Sequence, residues 1–288
     1  MAHYTLSALL SAAGEGKISA AAIAAEVADT ERTEEAVRAD MARALSVMRE
    51  AAEAGLRNAE RSPSGLSGGD SVRMQQAIQN GLLTGCPLIA DMMAIALAVA
   101  EQNAKMGRIV ACPTAGSCGI VPAVLFALQK ANGYTDEALV DALFTAGAVG
   151  VVIAKNASIA GASGGCQAEC GSAAAMAAAA AVELAGGRPL QAGHAVAFSL
   201  KSLMGLVCDP VGGLVEVPCI KRNAFCAVSA YVSASMALAG IESLIPADEV
   251  IRAMDEVGKL MPSALKETAK GGIAATPTAH MLAKAIMK

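Results

Sequence analysis

Apolar positions recur three and four residues apart along most of this chain, the spacing of one face of an α-helix. The pattern is clearest in 33–55, where Val37, Met41, Leu45 and Met48 fall on one stripe. Thr33 precedes the stripe as an N-cap, and Glu34 and Glu35 sit in the first turn, where the helix dipole favours acids. Gly55 marks the expected stop. Residues 5–28 predict one or two short alanine-rich helices, broken near Gly14-Glu15-Gly16. Further helices are predicted in 74–106, around Gly81 and Gly85-Cys86-Pro87, and from Thr135, with Asp136 and Glu137 in its first turn, to about Lys155. Others are predicted over 171–184, 189–206, 225–239 and 248–261. No alternating run makes a sheet and no segment repeats. The predicted class is all-α: a compact helical domain whose glycine-rich loops carry the chemistry.

Composition sharpens this picture. The 288 residues can bury a sizeable core as one large domain or two smaller ones. Hydrophobic residues make up 55% and aromatics only 2%, with no Trp, so alanine and methionine supply the excess. Alanine favours helix and lets helices approach closely. A net charge of -4 with interspersed signs, without a basic stripe or aromatic ladder, argues against a nucleic-acid partner. A mean hydropathy of +0.49 raises the question of a membrane. The stretch 172–184 is short and closed by Gly186-Gly187, and 86–100 carries Asp91 and stops at Glu101. Neither offers the roughly 20 apolar residues of a spanning helix. No basic segment followed by an apolar run opens the chain, so no signal peptide is read. Eight cysteines without one point to reduced thiols, metal ligands or small buried hydrophobes in a cytoplasmic protein.

The cysteines that matter lie on turns broken by glycine and proline: Gly164-Gly165-Cys166-Gln167-Ala168-Glu169-Cys170-Gly171, then Cys208-Asp209-Pro210-Val211-Gly212-Gly213, then Val217-Pro218-Cys219-Ile220-Lys221-Arg222-Asn223. A fold that gathers these turns would converge Cys166, Cys208 and Cys219. Three thiolates at one point can hold an iron–sulfur cluster by three irons and leave the fourth open. Two other loops stand out. Arg61-Ser62-Pro63-Ser64-Gly65-Leu66-Ser67-Gly68-Gly69-Asp70 reads as a linker or as a wall over a site. Pro113-Thr114-Ala115-Gly116-Ser117, ahead of an apolar helix, can form a nest of backbone N–H groups for a carboxylate, although it lacks the Lys of a phosphate loop. Cys86, Cys112, Cys118 and Cys226 read as buried thiols.

The stretches 61–70, 106–122, 161–176, 205–223 and 261–278 resemble, in the same order, the catalytic α subunit of iron–sulfur-dependent L-serine dehydratase (L-serine ammonia-lyase). The resemblance implies one catalytic domain over 1–288, with helices in 1–60 leading into it. It also implies a 4Fe-4S cluster on Cys166, Cys208 and Cys219, whose separations of 42 and 11 residues agree with the family's pattern. Cys170 competes with Cys166 and reads as a neighbour of the site. Two features depart from relatives. Ala162-Ser163-Gly164 stands where an Ala-Glu-Gly is frequent, and the last cysteine is Cys226, so no C-terminal thiol caps the open iron. The Ser-Ser-Ser-His-Thr stretch of the family's β portion is absent, which leads to the expectation of a separate β subunit and a higher oligomer.

The activity that the resemblance implies is dehydration of L-serine to pyruvate and ammonia, the open iron acting as a Lewis acid on the hydroxyl. Thr114 and Ser117 are the candidates for the substrate carboxylate, and Lys221 and Arg222 for neutralising substrate or cluster. Asn223 and Gln167 are candidate donors to sulfur or carboxylate. The base is open: of His3, His194 and His280, His194 lies between ligands, and Lys155 is its alternative. The competing readings are the same chemistry on L-threonine or L-cysteine, an electron-transfer iron–sulfur protein, and a non-enzymatic metal-binding helical scaffold. Four closely spaced ligands would be usual for electron transfer.

Overall fold

The computed structural model describes residues 5–83 and 85–286; His3 lies outside them. Thirteen α-helices run through the described residues, which contain no strand and one isolated bridge, between Cys208 and Lys266. The all-α expectation holds.

The N-terminal helices form for the reasons legible in the chain. α1 (Leu6–Ala13) and α2 (Ile18–Thr30) are separated at Gly14, whose φ of 56° suits glycine. α3 (Glu34–Arg57) begins where the Thr33 hydroxyl accepts the Ala36 N–H at 3.2 Å, and it buries Val37, Leu45 and Met48. Gly55 does not end this helix. It lies inside it, where α3 crosses α5 (Pro87–Ala104). A Cβ at Gly55 would stand 2.6 Å from the Ala98 carbonyl carbon and 2.7 Å from Ala98 Cα. The glycine is there for close approach between helices; α3 runs two residues further.

At the centre lies α9 (Ser172–Leu184), buried at every position from Ser172 to Glu183. α7 (Asp136–Asn156), α10 (Pro189–Leu203), α11 (Cys219–Leu238) and α6 (Ile120–Asn132) surround it. Eight of its thirteen residues are alanine, so each neighbour can sit close to its backbone on every side. The two apolar stretches too short to span a membrane are thus the core helices α9 and α5. By length and composition α7 could cross one, but 61% of its most apolar window is buried in the fold.

Three boundaries differ from expectation. α11 starts at Cys219 instead of residue 225, so the third cysteine turn is the first turn of a helix. The Gly/Thr-rich stretch 271–278 gives way to a further helix, α13 (Pro277–Ile286). α10 stops at Leu203. The remaining helices are α4 (Asp70–Gln79), α8 (Gly161–Gly164) and α12 (Ala247–Leu260).

Gly55→Ala is expected to push α3 off α5 and to cost about 1–3 kcal/mol, the range for overpacking a dense interior. A thermal melt several degrees below that of the parent checks it; an unchanged melt would contradict the close approach.

Candidate metal centre at the cysteine turns

Each cysteine turn is pinned by buried polar side chains, because irregular backbone inside a protein must find its hydrogen-bond partners there. Cys166 follows α8 and opens a π-helical turn, Gln167–Gly171, that leads into α9. Gln167 Nε2 donates to the Met254 carbonyl at 2.9 Å, and Gln167 Oε1 accepts the Gly205 N–H at 2.8 Å. Its amide therefore positions backbone on both sides of the turn. Cys208 donates its N–H to Leu265 O at 2.9 Å and accepts from Glu267 N at 2.8 Å, which brings 265–267 alongside it. Asp209 Oδ2 accepts the Ile273 N–H at 2.7 Å. Gly272, at φ 60°, is needed there twice over, since a Cβ would also stand 2.7 Å from Asp209 Cβ.

The third turn is tied to the 113–117 loop by Asn223. Its Oδ1 accepts the Gly119 N–H at 2.9 Å, and its Nδ2 donates to Gly116 O at 2.7 Å and Cys219 O at 3.0 Å. Both amide donors bond backbone, so Asn223 acts as a staple between two loops.

The 61–70 loop, open between linker and wall in the sequence, is held against the segment between Cys208 and Cys219. Glu216, buried between Cys208 and Cys219 in the chain, accepts the hydroxyls of Ser62 at 2.6 Å, Ser64 at 2.7 Å and Ser67. Lys221 forms an ion pair with Asp70 at the end of the same loop and is half-exposed. It thus ties the loop to α11.

Cys166, Cys208 and Cys219 are all buried. Burial pushes the Cys219 thiol up to about 12, with Cys166 adding to it, and raises Cys208 further, with Cys166 and Cys219 adding. The three are therefore close enough to feel one another's charge. Among the described residues, however, no three His, Cys, Asp or Glu side chains are grouped to hold one metal ion. Cys166 behaves differently. It shares a 3.3 Å hydrogen bond with Cys170, and that bond, helped by the nearby Arg222 guanidinium, favours the Cys166 thiolate. Cys170 is fully buried, is raised in turn, and also contacts Cys226. Arg222 is held by Asp209 at 2.8 Å and donates to Val207 O at 2.8 Å. Cys112, Cys118 and Cys226 are buried as expected; Cys86 is exposed.

The nest does not face empty space. The Thr114 hydroxyl donates to Glu169, and a Cβ at Gly116 would stand 2.7 Å from Glu169 Oε1. Ser117 is buried, its Oγ 3.1 Å from Thr114 Oγ1. The carboxylate against this loop is the protein's own. Sequence reasoning does not find Glu169, although it lies three residues past Cys166 in the first cysteine turn; its place one helical turn beyond a ligand is the available signal. Nor does it find Glu267, for which no local signal exists. Neither candidate base joins them. His194 Nδ1 accepts the Ser243 N–H at 3.1 Å, a link between α10 and the segment after α11, and Lys155 is exposed at the end of α7. His280 lies on α13.

Buried cysteines on turns at the ends of packed helices define an all-α protein with a cysteine-lined candidate site. The chain belongs to the serine dehydratase alpha chain family, whose model matches residues 14–274. It is 54% identical to the probable L-serine dehydratase alpha chain of Bacillus subtilis, over 93% of this chain and 89% of that protein. It is 42% identical to the L-serine dehydratase alpha chain of Peptoniphilus asaccharolyticus, over 91% and 90%. With the L-serine dehydratase of Streptomyces coelicolor it shares 47% identity over 62% of this chain, which is only 40% of that protein.

Glu216→Ala is expected to release the 61–70 loop. Amide exchange at residues 62–69 should quicken about tenfold or more while α9 stays protected; unchanged exchange would show that the three serines do not depend on Glu216.

Proposed function

We propose that this chain is the catalytic α subunit of an iron–sulfur L-serine dehydratase, which converts L-serine to pyruvate and ammonia together with a separate β subunit. The burial of Cys166, Cys208 and Cys219, each adding charge coupling to the others, in a chain of this family, carries the reading. The names of the Bacillus and Peptoniphilus relatives support serine as the substrate, and their designation as alpha chains supports a second subunit. The Streptomyces relative, of which this chain matches 40%, is consistent with both parts fused in one chain there. Free thiols throughout suit a reducing, cytoplasmic compartment.

The donor set fits a 4Fe-4S cluster in kind: three soft thiols on turns fixed by side chains outside the set. When bound, the cluster supplies a Lewis-acid iron that makes the serine hydroxyl a better leaving group. Arg222, between Asp209 and Cys166, offsets the negative charge of the thiolates, and Asn223 holds the Cys219 turn in place. Gly161 packs closely against Cys208, where a Cβ would stand 3.0 Å from the sulfur. Loss of the α-proton and the hydroxyl yields aminoacrylate, which tautomerises and hydrolyses to pyruvate and ammonia. With His194 committed to Ser243 and Lys155 exposed, we assign the proton acceptor to the β subunit.

The test is pyruvate formation from L-serine by the oxygen-free protein, with and without its β partner. Activity is expected only with both, and only with the brown iron–sulfur chromophore present. Cys166→Ser, Cys208→Ser and Cys219→Ser should each lose chromophore and activity, while Cys170→Ser should keep both. An intact chromophore in the complex without pyruvate from L-serine would overturn the substrate, and a colourless parent would overturn the cluster.

A further inference from the structure

The sulfurs of Cys166 and Cys170 lie 3.3 Å apart, and both residues are buried. Only Cys166 belongs to the proposed ligand set; Cys170 has no part in the reaction above. A third thiol, Cys226, bonds Cys170 from α11. Cys170 is thus held between a candidate ligand on one side and a helix cysteine on the other.

Local backbone makes the first of these pairs the one that can join. Cys166 stands just ahead of the π-helical turn Gln167–Gly171 and directly after Gly164 and Gly165, the latter at φ 77°. A spacing of four residues puts both side chains on one face of the turn. Cys226 lies inside α11, with helix on both sides of it. A disulfide bond is about 2.05 Å long, so the Cys166 and Cys170 sulfurs have only roughly 1 Å to close, and the two glycines let the backbone at Cys166 follow. On the reading above the centre admits a molecule the size of serine. Hydrogen peroxide, close to water in size, reaches it as well.

We infer that Cys166 and Cys170 form a site of oxidative modification, joining as a disulfide when peroxide meets Cys166 without bound iron. This rests on the cluster reading for its consequence, since a Cys166 sulfur tied to Cys170 is closed to iron until it is reduced. The Cys166 sulfur attacks one peroxide oxygen and becomes a sulfenic acid, with release of one water. The Cys170 sulfur then displaces the hydroxyl; the S–S bond forms, and the Cys170 proton leaves with the hydroxyl as a second water. The two sulfurs lose two electrons, and the peroxide gains them. A thiol this close intercepts the sulfenic acid before more peroxide carries it to the irreversible sulfinic acid. The modification therefore keeps a ligand recoverable.

The test starts from the cluster-loaded αβ complex. A chelator removes the iron without oxygen, hydrogen peroxide is added in measured equivalents, the remaining thiols are blocked, and mass spectrometry maps the pairs. In the parent the Cys166–Cys170 disulfide should be the main product. The brown chromophore should return on addition of ferrous iron and sulfide only after dithiothreitol. Cys170→Ser and Cys170→Ala should instead carry Cys166 as its sulfinic acid and lose most of that return. A parent without this disulfide, or with Cys170–Cys226 in its place, overturns the inference, as do variants that recover as fully as the parent. The parent's map decides even where a substitution at buried Cys170 disturbs folding. A parent that never carries the chromophore would remove the cluster reading, while the map would still decide whether the two thiols join.

Discussion

Three thiols are buried on backbone that is neither strand nor uninterrupted helix, and the rest of the site depends on how that backbone is satisfied. Buried N–H and C=O groups without partners cost about 1–3 kcal/mol each, so loops of this kind persist only where side chains complete their bonds. Here Gln167 serves the first turn, Asp209 the second and Asn223 the third, each bonding the backbone of a different segment. Glu216 does the same with hydroxyls, drawing 61–70 against the loop between Cys208 and Cys219. The result is a set of cysteine positions fixed from outside the set.

Several polar residues near the cysteines therefore serve the scaffold. Asn223 and Gln167 commit their amides to main chain, and Lys221 commits its charge to Asp70. Closest to the cysteines lie Arg222 beside Cys166, and Glu169 and Glu267 packed about Gly161.

The scaffold beneath is an alanine helix, α9, encircled by other helices. Because alanine adds little width, the encircling helices lie near the axis, and the turns at the start of α9 and α11 are brought to the same end of the bundle. Gly55 at the α3–α5 crossing shows the same economy of width further out.

The sequence by itself determined the helical class, most helix positions, the caps at Thr33 and Thr135, and the three cysteine turns. These follow from periodicity and from local chemistry at helix starts and breaks, which act over a few residues. Only the tertiary structure decided that Gly55 is a packing contact, that Cys219 begins a helix, and that 61–70 is held against the segment between Cys208 and Cys219. The same holds for the nest, which meets Glu169 instead of open space, and for Glu169 and Glu267, which share one point although they lie 98 residues apart. Each of these depends on which segment comes to lie beside which. Contacts between residues far apart in the chain leave no trace in the spacing of their neighbours, so a single sequence cannot announce them.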